Sequence, residues 1–313
     1  VVSRTLLGSD VTGRADAVRE AVSVGREYVY RRVMALVPPP SWLPTPTNLR
    51  FRRAMRTLDD IVYGMIEARR NNGADKDDLL SMLLEARDEE TGEGMSDKQL
   101  RDEVFTMFTA GHETTAAALA WTWYLLSQHP EAEGRLHNEL GSVLSGRTPG
   151  LDDLQRLPYT RMVIEETLRL YPPVWSIGRM ALREDTVLGY RIPAKGQVLL
   201  SSYVTHRHPE FWDEPERFDP ERFAPERAAS RPRYAYFPFG GGPRQCIGNE
   251  FAMMEAQLAL ATLAQRYRLR LVPGQVVEPE PAVTLRPRHG VMVTVEARSK
   301  LRSVVSVDPW RKP

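Results

Sequence analysis

The stretch Phe239 to Gly248, Phe-Gly-Gly-Gly-Pro-Arg-Gln-Cys-Ile-Gly, holds Cys246, the single cysteine of a 313-residue chain. A metal takes the thiolate rather than the thiol, and a cysteine at the start of a helical segment, close to a cation such as Arg244, sits where ionisation is favoured. Cys246 is therefore a candidate iron ligand. Gly240, Gly241 and Gly242 permit positive φ, letting backbone amides approach a flat macrocycle and point toward the sulfur. Phe239 is placed to shield the sulfur from water, Arg244 to pair with an acidic group on the ring edge, and Gly248 to let the following helix pack closely. The competing reading is a buried, inert structural cysteine.

A second group lies in Ala110-Gly-His-Glu-Thr-Thr115. Ala110 and Thr114 are four apart and share a helix face, so the Thr114 hydroxyl can bond the Ala110 carbonyl in competition with the helical ladder. Gly111 weakens the same turn. A local opening there leaves room for a small molecule and a water, with Glu113 beside it as a proton source. His112 has no partner at metal-ligand spacing and is not assigned. A third group is Glu166-Thr-Leu-Arg169, whose spacing lets a carboxylate and a guanidinium meet on one helix face. Pro220-Glu-Arg-Phe223 adds Arg222 upstream of the cysteine.

Taken in order, these segments resemble the cytochrome P-450 family. Its haem-binding signature, Phe-x-x-Gly-x-Arg-x-Cys-x-Gly, is matched at Phe239, Gly242, Arg244, Cys246 and Gly248. The resemblance implies a mainly α fold with small β-sheets: the C-terminal two-thirds or so of a P-450-like domain, with a long central helix over haem. It implies one haem-thiolate domain over residues 1–313, N-terminally truncated, since the early strands and helices of relatives and the loop roofing their substrate pocket are missing; such a chain is expected to hold haem poorly. The cofactor would be haem b, with Cys246 on the metal and Phe239, Gly240, Arg244, Gly248, Arg179 and Ala110 around the ring. Glu113 and Thr114 map onto the acid and alcohol pair of oxygen activation, and Glu166, Arg169 and Arg222 onto a buried network supporting the core. Phe105, Thr109, Val174, Trp175, Ile177, Thr284 and Leu285 match pocket-lining segments. His206-Arg-His-Pro209 also matches a family segment and is read as structural.

The activity so implied is a monooxygenase that inserts one atom of dioxygen into a C–H or C=C bond of a hydrophobic small molecule such as a fatty acid or terpenoid. Because no flavin or iron-sulfur motif follows the cysteine, electrons would come from NAD(P)H through a separate ferredoxin or flavodoxin/reductase. Arg227, Arg231, Arg233 and Arg244 are candidates for a basic docking face. A peroxide-using haem-thiolate enzyme would be expected to lack the acid and alcohol pair, whereas a non-catalytic haem-binding fragment would need no proton relay.

The elements that must position these groups follow from periodicity. Helices are expected over 16–36, 49–70, 79–86, from a capping box at Ser96 and Gln99 to 127, over 130–144, and from about Tyr159 to a stop at Pro172. Residues 186–192 read as a hairpin around Gly189, 197–201 as its neighbour, and 292–297 as a closing strand. Phe251, Met254, Leu258 and Ala261 keep helical spacing after the cysteine. Residues 214–233, rich in proline and charge, read as irregular surface. At 42% hydrophobic and 27% charged, the chain can bury a sizeable core. A formal charge of +1 gives no overall nucleic-acid or membrane footprint. One cysteine excludes an intrachain disulfide framework, and the longest apolar run is too short to span a bilayer. A cytoplasmic monomer is expected, with an N-terminal anchor left open.

Overall fold

Helix boundaries follow local chemistry. The computed structural model describes Thr5, Gly8 and residues 12–35, 37–72 and 78–298, so Val1 and Leu36 lie outside the described residues. Helix α1 covers Ala15–Met34 and α2 covers Pro46–Asn72, opening on a proline whose missing N–H costs a first turn nothing. Helix α3, Leu79–Glu85, is capped by Asp78, whose carboxylate accepts from the Ser81 amide. Helix α4, Asp97–Gln128, begins with the expected box: Ser96 N–H donates to Gln99 Oε1 at 3.0 Å and Gln99 N–H to Ser96 Oγ at 3.3 Å. Helices α5, Pro130–Leu144, and α6, Pro158–Leu170, likewise start on proline. Short helices α7, Ser202–Thr205, and α8, Pro225–Ala228, precede α9, Asn249–Arg266.

The chain divides into two compact units. The first comprises residues up to Ala117 together with Glu280–Leu285. Its core joins α1, α2, α3 and the start of α4 through Val18, Ile61, Ile66, Leu80, Leu100 and Val104. A smaller cluster of Ala21, Val24, Ala54 and Leu58 completes the α1–α2 contact. The Arg69 guanidinium is buried against Asp78, donating to Oδ2 at 2.7 Å and tying α2 to the cap of α3.

The second unit packs α5, α6 and α9 through Leu136, Leu140, Val163, Ile164, Leu260 and Ala261. The buried face of α9 is Met253, Ala256, Gln257, Leu260, Ala261 and Ala264, whereas Phe251, Met254 and Leu258 are only half-buried. The helix is apolar nearly all round, so spacing alone chooses its face poorly.

Among the described residues the strands form four two-stranded sheets: β1 (Ile177–Met180) with β4 (Gln197–Leu200), β2 (Asp185–Val187) with β3 (Tyr190–Ile192), β5 (Tyr267–Leu271) with β8 (Val293–Ala297), and β6 (Pro279–Pro281) with β7 (Leu285–Pro287). The β2–β3 turn places Gly189 at φ 84°, as the hairpin reading requires. The strand at 197–200 does not extend that hairpin: it pairs instead with β1, Ile177 opposite Leu200. Residues 214–233 are not wholly surface, since Phe218, Pro220 and Arg222 are buried. Among the described residues no helix is long and apolar enough to cross a membrane.

Candidate functional site

The cysteine loop is a closed turn. Phe237 carbonyl accepts from Gly240 N–H at 3.0 Å, Gly242 carbonyl from Gln245 N–H at 3.0 Å, and Phe239 carbonyl from Cys246 N–H at 2.9 Å. Gly240 and Gly242 adopt φ of 72° and 70°, where a Cβ is strained. Gly241 is extended, and what it supplies is clearance: a Cβ there would stand 2.8 Å from Tyr234 Cε1. At Gly248 a Cβ would make only ordinary contact, 3.9 Å from the Cys246 sulfur. Phe239 is half-buried and packs on the core of its unit, anchoring the loop. Cys246 and Arg244 are exposed. Ile247 beside the thiol is 84% exposed, leaving an apolar side chain and a sulfur on the same open surface. Val174 is exposed, Trp175 and Ile177 are half-buried, and Ile177 Cδ1 lies 3.3 Å from where a Gly240 Cβ would stand. Arg179, in β1, is exposed and donates to the carbonyl of its own neighbour Gly178.

Behind the loop, Glu166, Arg169 and Arg222 meet. Arg169 forks onto Glu166, Nε to Oε2 at 2.7 Å and Nη2 to Oε1 at 2.8 Å, with both side chains fully buried. Arg222 Nε stands 3.5 Å from Glu166 Oε1, which also accepts from the Asp219 amide at 2.9 Å. Arg169 further donates to the carbonyls of His206, Pro215 and Arg217 and lies over the Trp212 ring. Burial pushes the Glu166 carboxyl upward, and the Arg169 fork and the Asp219 amide pull it back. Burial lowers Arg222 in turn.

In the first unit, the Thr114 hydroxyl donates to the Ala110 carbonyl at 2.7 Å, and Thr109 donates to Phe105 likewise. Glu113 Oε1 accepts two donors, Arg26 Nη1 at 2.8 Å and Thr284 Oγ1 at 2.8 Å. Thr284 and Leu285 are buried, and Phe105 is half-buried under the Arg101 guanidinium. Ala110 is exposed.

A family model described as Cytochrome P450 matches residues 1–295. The chain belongs to the cytochrome P450 family. It is 44% identical to the cyclooctat-9-en-7-ol 5-monooxygenase of Streptomyces melanosporofaciens over 88% of this chain and 60% of that protein. It is 39% identical to the pentalenene oxygenase of Streptomyces avermitilis over 95% and 66% respectively. The chain thus spans 60 to 66% of the length of these curated relatives. Among solved structures, the haem domain of cytochrome P450DA superposes with a TM-score of 0.86 at 29% identity, covering 96% of this chain and 66% of that one. The retinoic acid bound cyanobacterial CYP120A1 gives 0.80 at 31% identity, covering 88% and 63%. The fold is that of the P450 haem domain, mainly helical with small sheets.

The residues of this P450 chain fit the haem that the family implies. No cluster of three or more histidine, cysteine or carboxylate groups able to hold a metal ion occurs among the described residues. A lone exposed thiol cannot cage a bare ion, but one thiolate would suffice to hold an iron already bound in a porphyrin. The loop glycines and the exposed apolar side chain at Ile247 suit a flat, apolar ring.

Two residues escaped sequence reasoning. Arg26, on α1, carries no local motif, and its partner Glu113 lies 87 positions away. His206 was read as structural, without its link to the loop. The proposed basic face is also thinner than its sequence: Arg227 is bonded to Asp219 and Arg231 to the Arg222 carbonyl while stacked on Trp212.

Proposed function

We propose that this chain carries the haem-thiolate core of a monooxygenase that inserts one atom of dioxygen into a C–H or C=C bond of a hydrocarbon-rich substrate. Electrons would reach it from NAD(P)H through a separate ferredoxin or flavodoxin-type protein. The observation carrying this reading is Cys246, the one cysteine, held exposed by a hydrogen-bonded turn just before α9 in a P450 fold. Two relatives are named for oxygenation of cyclooctat-9-en-7-ol and pentalenene, which favours a terpenoid-like substrate over a fatty acid.

Haem, held by Cys246 and bordered by Phe239, Gly240 and Arg244, would supply dioxygen activation. The residues of the chain supply the protons. Both Arg26 and Thr284 converge on Glu113 Oε1, so moving a proton through that oxygen requires one of these contacts to open. The Thr114 hydroxyl gives its proton to the Ala110 carbonyl, leaving its lone pairs as an acceptor for a water on the exposed side. The network of Glu166, Arg169 and Arg222 would hold the loop's support rather than act in chemistry.

The test is the carbon monoxide difference spectrum of the reduced, haem-loaded protein. Thiolate ligation gives a far red-shifted Soret band that Cys246→Ser abolishes. An unaltered band in the serine variant would overturn the assignment, and product analysis with terpenoid and fatty-acid panels would define the substrate.

A further inference from the structure

We propose that His206 is a positioning residue that clamps the Cys246 loop to the Glu166–Arg169 ion pair. Its functional meaning rests on Cys246 being the iron ligand; the clamp itself does not. His206 is fully buried at the end of α7. Its carbonyl accepts from Arg169 Nη1 at 2.9 Å, so its backbone is fixed by the guanidinium that forks onto Glu166. Its ring nitrogen Nε2 accepts from the Phe237 N–H at 2.9 Å. Phe237 is then held on its other side, because its carbonyl accepts from Gly240 N–H at 3.0 Å, and Gly240 opens the turn closed by Cys246 N–H on the Phe239 carbonyl. The imidazole is wedged between the Tyr236 and Phe237 rings, with centroids 5.1 and 5.3 Å away.

A path of hydrogen bonds joined by short covalent steps therefore runs from the buried carboxylate to the thiol loop, and His206 is its side-chain link between Arg169 and Phe237. The contact needs an acceptor at Nε2, hence a neutral ring with its proton on Nδ1. Burial keeps the ring neutral, depressing the imidazole to about 3 against backbone hydrogen bonds to Arg169 and Leu168 that act to raise it. A lost acceptor here leaves the amide of the half-buried Phe237 without this partner, and the loop loses its fixed point.

Four readouts test this on the 313-residue chain. In the parent protein, nitrogen NMR of the histidine ring should show Nε2 unprotonated and Nδ1 protonated; an Nε2–H tautomer overturns the proposal whether or not any variant folds. In His206→Leu, Phe237 amide exchange and Cys246 alkylation by iodoacetamide in the haem-free protein should each quicken about tenfold or more, the scale of one buried acceptor removed. His206→Gln, which restores an acceptor near Nε2, should recover most of both at a similar melting temperature. Parent-like exchange and alkylation in His206→Leu would sink the clamp. Loaded with haem, His206→Leu should retain its haem and lose the red-shifted carbon monoxide band in part. If Cys246→Ser leaves that band intact while the haem-free readouts move as expected, the ligand assignment fails and the clamp stands.

Discussion

At the scale of single residues, the Thr114 hydroxyl and the Glu113 carboxylate are separable by experiment. Thr114 spends its proton on the Ala110 carbonyl inside a helix, an interaction that slightly disfavours the helical ladder. Thr114→Ala should leave stability within about 0.5 kcal/mol of the parent, since alanine is the better helix former. If the residue positions a proton for dioxygen cleavage, the same variant should cut product formation about tenfold or more, the low end of what a placed proton donor contributes. The missing turnover should reappear as peroxide per NAD(P)H consumed, with haem content unchanged; equal coupling in parent and variant would refute the role. Arg26 asks a different question, because its contact with Glu113 is about four-fifths buried, at 19% and 15% side-chain exposure. A double-mutant cycle of Arg26→Ala and Glu113→Gln should give a coupling of about 1 kcal/mol in thermal or urea unfolding, the upper part of the range for incompletely buried pairs. A coupling indistinguishable from zero would mean that the ion pair does not hold the carboxylate.

At the scale of elements, the Glu166–Arg169 pair on α6 ties the helix to the segment 206–222 through three carbonyls and one amide. Glu166→Gln or Arg169→Met leaves a buried charge without its partner and should cost about 3 to 5 kcal/mol. Chemical denaturation should show this in either variant, and a loss below about 1 kcal/mol would show that water enters the network. These three residues, like the cysteine loop, were legible from spacing together with family resemblance, because each motif lies within a short stretch of chain. The helices were legible too: α4 begins at its capping box and α5 at Pro130, whereas α6 begins at Pro158, one residue before the expected start near Tyr159. What failed was non-local. The strand at 197–200 carries no mark of its partner 20 residues back, and pairing with β1 is set by the loops at Ala181 and Gly196, which exchange backbone hydrogen bonds. The buried side of α9 could not be chosen because apolar residues surround the helix. Arg26 and the His206–Phe237 contact join elements far apart in sequence, where no periodicity reports them.

At the scale of the whole molecule, 42 basic and 41 acidic side chains nearly cancel, so acid sensitivity must come from particular buried groups rather than from net charge near neutrality. His137 on α5 is the clearest of them. It is 6% exposed, its Nε2 has no hydrogen-bond partner, and burial first, then Arg298, Arg268 and Arg270, bring it from 6.5 to about 4. The same two strand arginines grip Glu133 one turn earlier on the helix, at 3.0 and 3.2 Å, which keeps cations beside the imidazole. A folded value below the unfolded one means that the unfolded chain takes the proton first. Stability from this group is complete above about pH 6.5, falls as the pH drops through the interval, and stops falling near pH 4, for a total of at most about 3 kcal/mol. His206, depressed to about 3, adds a loss of the same sign that extends lower. Asp78, lowered by its hydrogen bond from Arg69, begins to lose its contribution as the pH falls through the ordinary carboxylate value, and so lies outside the upper part of the window. Urea unfolding of His137→Gln from pH 7 to 4.5 should therefore show a shallower decline than the parent, by up to about one proton's worth of slope. If the two proteins lose stability in parallel over that range, burial and the neighbouring arginines do not hold His137 neutral in the folded chain.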